Sequence, residues 1–285
     1  MPNFERFAQV TIGSRGSKGF LFESPLRITF DVTKSNEPTP NSGTVTLFNL
    51  SASSRDQIRK IGDTIELTAG HVRDEYAGRL VVSADVLNIV TEKQGSDIIT
   101  IVRLGDGVEY LKTLKGSYSF KEGALVKDII KKITGAAGIT LKSLDGVVDA
   151  AFANGFSEMG PIGEILKKLV GKLGAQWSFQ NNELQIIPKL GHNDSPVFKL
   201  SSKTGLVGIP TRDVDTSNIA PTSQSDGWKV TALLRPELGP GDRVEIESKV
   251  AAISGIYHIK EVKHSGDTFQ GDWTSTLRVR ESSNA

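Results

Sequence analysis

The sequence predicts a mainly β protein with an α/β insert, α+β overall: two small antiparallel barrel-like domains, residues 1–115 and 196–285, flanking a helix-containing segment, residues 116–195. Three observations predict this. Apolar residues alternate with period two from Phe4 to about Lys115, and again from Lys229 to Val279. Between Leu125 and Leu173 the period becomes helical. Glycine, at 29 residues, and proline, at 11, supply the turns that many short strands require.

In the first domain, Arg27 to Thr33 alternates cleanly and places Ile28, Phe30 and Val32 on one face. Pro38 and Pro40 cannot donate to a ladder, so Asn36 to Gly43 is a connection. Thr44 to Leu50 is the next strand, burying Val45, Leu47 or their neighbours. A short helix is expected at about Ser54 to Lys60, with N-caps available at Ser51, Ser53 and Ser54 and Gly62 at its stop. Asp63–Ala69, Arg79–Ser83, Val86–Glu92 and Ile98–Leu104 read as further strands, and this spacing suggests a closed or nearly closed barrel.

In the middle segment, Ser119 and Glu122 have the spacing of a capping box ahead of Leu125, Ile129, Ile130 and Ile133. A second helix begins near Pro161 and gathers Ile162, Ile165, Leu166, Leu169, Val170 and Leu173 on one side, with Lys167, Lys168 and Lys172 on the other. Ala175–Phe179 and Glu183–Ile187 then form a hairpin about Gln180–Asn182, with Trp177, Phe179, Leu184 and Ile186 covering the helices. Leu190–Pro196 is a hinge. The polar segment Gly208–Asp226 is read as a partly ordered contact loop, since a loop near twenty residues in a compact domain tends to meet a partner. Beyond it, Lys229–Leu234, Arg243–Glu247, Tyr257–His264 and Trp273–Val279 alternate as the strands of the second barrel.

Composition excludes several classes. With no cysteine there is no disulfide, thiolate metal site or cysteine nucleophile. With 34 basic and 33 acidic residues the formal charge is +1, so no overall field draws nucleic acid or an anionic membrane. The N-terminal residues lack a signal-peptide pattern and no window is apolar enough to span a bilayer, so a soluble chain with no membrane anchor is expected.

The phrases Ile28–Lys34, Thr44–Ser51, Arg55–Ile58 and Gly62–Gly70, followed by Gly208–Pro210, Leu233–Ser248 and Gly255–Leu277, resemble in order and spacing the baseplate hub proteins of contractile-tailed bacteriophages, a family that extends to tailocins. The resemblance spans nearly the whole chain. It implies a homotrimer whose two barrel-like domains per subunit make a pseudo-sixfold ring. Such a ring adapts a hexameric tail tube protein to a trimeric spike protein and encloses a channel for the tape measure protein and for DNA in transit. It also implies contacts with other baseplate proteins, a place in the virion tail, and assembly in the bacterial host cytoplasm.

No catalytic constellation accompanies these phrases, and no enzyme activity, cofactor or metal is expected. The motifs G-x-S-x-G, G-x-x-x-x-G-K-[ST], G-x-G-x-x-G and H-E-x-x-H are absent. A tail-associated cell-wall hydrolase would need paired carboxylates, for which Asp213 and Asp215 are the candidates. His258 and His264, six apart on one strand, would stand about 20 Å apart, too far to share a metal. A β-barrel module for single-stranded nucleic acid would need a basic groove with stacked aromatics, whereas here Lys and Arg interleave with acids. As subunit or partner contacts the sequence offers Asp213 and Asp215 in the polar segment, Trp228 directly after it, and Trp273.

Overall fold

The computed structural model describes residues 5–15, 18–61, 63–71, 78–144, 146–189, 191–213, 227–250 and 253–281. The first part comprises β1 (Arg6–Gly13), β2 (Phe20–Phe22), β3 (Ile28–Ser35), β4 (Asn41–Phe48), α1 (Ala52–Ile61), β5 (Thr64–His71), β6 (Arg79–Gln94) and β7 (Asp97–Asp106). A π-helical turn, Glu109–Thr113, leads to the insert. The insert holds β8 (Lys115–Phe120), β9 (Ala124–Leu125), α2 (Val126–Ala136), β10 (Thr140–Ser143), β11 (Ala151–Phe152), β12 (Phe156–Pro161), α3 (Ile162–Lys172), β13 (Ala175–Gln180) and β14 (Glu183–Pro188). The last part is β15 (Phe198–Leu200), β16 (Leu206–Asp213), β17 (Gly227–Leu233), β18 (Arg243–Ser248), β19 (Ile253–Asp267) and β20 (Trp273–Glu281). The architecture is mainly β with a small helical insert, as the sequence predicts.

The expected barrel does not close. One 13-stranded sheet runs β16-β17-β20-β19-β3-β4-β7-β6-β5-β1-β2, with β18 and β15 branching from β19. The reason lies at β3, the edge on which the first set of strands would have to close. It is taken instead by β19, antiparallel, from Glu261↔Ser35 to Asp267↔Thr29. Strands distant in sequence thus fuse the two strand-rich parts into one surface. Arg79–Ser83 and Val86–Glu92, expected as two strands, are one strand of 16 residues with a bulge near Val86.

Among the described residues, three hydrophobic cores lie beneath these elements. The first gathers Ile28, Phe30, Val32, Val45, Leu47, Ile65 and Leu67, and draws in Leu234 and Trp273 from the last part of the chain. The second is the insert's, where α2 and α3 bury Ile129, Ile130, Ile133, Ile165, Leu166 and Leu169 against Trp177, Phe179, Leu184 and Ile186. The third packs Val230, Val244, Ile246, Ile259, Leu277 and Val279.

Helix starts differ in an instructive way. Ser51 caps α1, its Oγ accepting from Ser54 N–H at 3.1 Å. The capping box expected for α2 does not form, because Ser119 is consumed in β8, paired with Ser157 of β12. The free Lys127 N–H donates instead to Asp149 Oδ1 at 3.1 Å, from the connection between β10 and β11. Leu125, expected on the apolar face of α2, is the residue before it and is exposed. Pro161 sits at the N-cap of α3, just outside its first turn.

Candidate functional site

The side chains that the cores leave out form a continuous bare face on the large sheet. Residues paired across antiparallel strands share a face, so registers identify it. One row runs Thr231, Thr276, Lys263, Thr33 and Ser42; the next runs Leu233, Thr274, Ser265, Asp31, Thr44 and Arg103. All are half-buried or exposed. Hydroxyls dominate, and the charges are matched locally. Lys263 Nζ lies 2.7 Å from Asp31, and Arg278 Nε lies 3.7 Å from both Glu261 and Asp213. The result is a wide polar surface with little net field.

Both ends of this sheet are open among the described residues. At one end, β16 carries exposed Val207 and Ile209, and its pairing to β17 bulges between Val207 and Thr211. Exposed apolar side chains on an unpaired edge favour pairing with another strand. At the other end β2 pairs with β1 only, and Leu21 is exposed.

The residues singled out in the sequence fall unevenly around the first edge. Asp213 ends β16 and faces Arg278. Trp228 is half-buried opposite Arg212, whose guanidinium sits 4.2 Å from its ring centroid. Residues 208–213, read as part of a loop, belong to β16, since Thr211, Arg212 and Asp213 pair with β17. Asp215 and the rest of the segment to Asp226 lie outside the described residues. Trp273 is buried in the first core, edge-to-face with Phe30 at 5.5 Å and under the Arg6 guanidinium, which leaves it no surface to offer a partner.

A second constellation, missed by the sequence reading, locks the insert to the sheet. The turn Asn181–Asn182 has positive φ at both residues, 59° and 63°, which suits a two-residue hairpin. Its backbone N–H groups donate to Asp106, Asn181 N to Oδ2 at 2.7 Å and Asn182 N to Oδ1 at 2.6 Å. Asn41 Nδ2 donates to the same carboxylate at 3.1 Å and to Phe179 O at 2.7 Å. Lys34 Nζ donates to Asn181 Oδ1 at 2.9 Å. On the far side, Gln185 Nε2 reaches Pro240 O at 2.9 Å, tying the same hairpin to the last part of the chain. Burial pushes Lys34 down to about 8, the charge of Asp106 opposing, and burial pushes Asp106 up against the hydrogen bonds it accepts.

His264 serves structure. His264 is buried, with Nδ1 2.9 Å from Ser275 Oγ and Nε2 3.2 Å from Leu238 O. Burial, and then the nearby Lys34 charge, push it down to about 3. Among the described residues no group of three or more His, Asp or Glu side chains is placed to hold a metal ion, and no helix is long and apolar enough to cross a membrane.

No family model and no curated protein matches the sequence. Solved structures do match the fold. The tail protein from Neisseria meningitidis MC58 superposes with a TM-score of 0.64 at 13% identity, over 98% of this chain and 97% of that one. The prophage MuSo2 43 kDa tail protein from Shewanella oneidensis gives 0.64 at 12% identity, over 98% of each chain. The E. coli c3393 protein, a type VI secretion system component similar in structure to T4 bacteriophage tail proteins gp27 and gp5, gives 0.63 at 14%, over 96% of this chain and 77% of that one. Two of these neighbours are tail proteins and the third is a secretion-system component similar in structure to tail proteins; the fold is shared with them.

Proposed function

We propose that this chain is a non-catalytic structural subunit of a phage-tail baseplate hub, a homotrimer whose ring joins a tail tube protein to a spike protein. The observation that carries this reading is the large open sheet with a bare, hydroxyl-rich face and, among the described residues, an unpaired edge at each end. An interface between two different edges is head-to-tail, and such contacts close into a ring when the rotation permits. Two strand-rich parts per chain, repeated in three copies, give the approximate sixfold outline that a hexameric tube requires. The polar face then lines the channel. Its charges are paired within the sheet, so tape measure protein and DNA pass over a surface that grips neither. The chain belongs, on this reading, to the virion, in contact with other baseplate proteins.

Electron microscopy of the assembled protein tests the reading. Ring-shaped particles with a central hole and threefold averages are expected. Compact particles with no hole would contradict it.

A further inference from the structure

Outside the sheet face and its edges, one cleft is built differently from the rest of the surface. It encloses about 400 Å³ between the insert and the large sheet, where α3 and β13 face β19, β20 and the connection after β3. Its lining carries Lys167, Lys189, Lys260 and Arg280 against one carboxylate, Glu37. Glu37 is engaged by Lys260 at 3.7 Å, and among the described residues the other three cations have no carboxylate partner. The chain as a whole is nearly neutral, so this is a local concentration of positive charge. His258 also borders the cleft but is 4% exposed, so it offers a ligand little surface and the charged rim dominates.

We propose that this cleft receives an acidic peptide segment of a partner protein. The helix beside it supplies no phosphate cradle. Gly171 lies in the last turn of α3, whose carbonyl end offers an anion no free N–H groups and a partial negative charge that the surrounding cations must outweigh. A phosphate is best held by backbone N–H groups at a helix start or by a planar arginine fork. Here the cations are mostly lysine tips spread over several elements, a pattern that matches carboxylates spaced along an extended chain. Pro38 and Trp177 supply an apolar wall for the segment's backbone. Gly171 keeps the mouth open: a Cβ placed there meets nothing within 4 Å. The proposal does not rest on the ring, because peptide binding is read on the chain itself and ring formation by particle mass.

Fluorescence anisotropy with a labelled Glu-rich decapeptide tests it, alongside a Lys-rich control peptide, a single-stranded oligothymidylate and inorganic phosphate as competitor. Salt-sensitive binding of the acidic peptide is expected, weakened at least about tenfold by the double reversal Lys167→Glu and Lys189→Glu. Gly171→Gln, which leaves the charge unchanged and favours the helix, is expected to weaken it similarly by filling the mouth, with an unchanged melting temperature. Tighter binding of the oligonucleotide than of the peptide, or phosphate competition at equal charge concentration, would overturn the proposal. So would peptide binding that survives both variants, or none in the unmodified chain.

Discussion

Replacing Asp106 by Asn isolates the role of one buried carboxylate with almost no change of shape. The carboxylate accepts from Asn181 N, Asn182 N and Asn41 Nδ2, at 2.7, 2.6 and 3.1 Å. An amide offers one oxygen in place of two and turns an NH2 group toward a backbone donor, so at least one buried N–H loses its acceptor. Hydrogen bonds to charged groups contribute about 1.5–3 kcal/mol each, and a stranded buried donor costs a comparable amount. The substitution also strips Lys34 of the opposing charge nearest to it in effect. Lys34 bonds Asn181 and not the carboxylate itself, so this adds less than the roughly 3–5 kcal/mol that breaking a direct buried pair costs. The effects overlap, so the expected loss is about 4 kcal/mol, a fall in melting temperature of roughly 10 °C for a chain of this size. Thermal unfolding followed by circular dichroism at pH 7.5 measures it. Adding Lys34→Met to Asp106→Asn should restore part of the loss, because the second change removes the uncompensated cation. A fall of less than about 3 °C in the single variant, or a double variant no more stable than it, would refute the view that this carboxylate anchors the insert.

The other predictions concern the same interior. Because burial lowers Lys34 from 10.5 to about 8, the unfolded chain binds more protons than the folded one between those values, so stability should rise with pH across that window by up to about 3 kcal/mol. Lys34→Met should flatten that slope in denaturant titrations. His264, lowered to about 3, should stay neutral in the folded protein at pH 5 by imidazole NMR, and its contribution to stability should be lost as pH falls from 6.5 toward 3. Asn182→Val should cost about 1–3 kcal/mol in chemical unfolding, since a β-branched residue resists φ of 63° and the side-chain contacts to Gly107 and Ser83 disappear.

Much of this was written locally in the sequence. Period two placed Ile28, Phe30 and Val32 inward, and the same phase continues to Lys34; on β7 the buried series Val102, Leu104 runs on to Asp106. A charged residue in phase with a buried face was the available signal for the insert's anchor. The pairing of β19 with β3 carried no such signal, because it joins segments more than two hundred residues apart and replaces a barrel closure that local pattern favours equally. Ser119 and Glu122 imitate a capping box since spacing alone cannot show that Ser119 is claimed by β8. Residues 208–213 looked like loop because Gly208 and Pro210 interrupt the alternation, yet the bulge there absorbs both. Trp273 alternated as a core residue does, and the core holds it.

The ring is tested most directly by the mass of the assembled particle, measured by light scattering alone and with tail tube and spike proteins present. The account predicts three times the 30.7 kDa chain mass, falling toward one chain in Ile209→Lys, where a lysine guards the β16 edge without disturbing the core. A single-chain mass under every condition, or a trimer indifferent to the edge substitution, would contradict it.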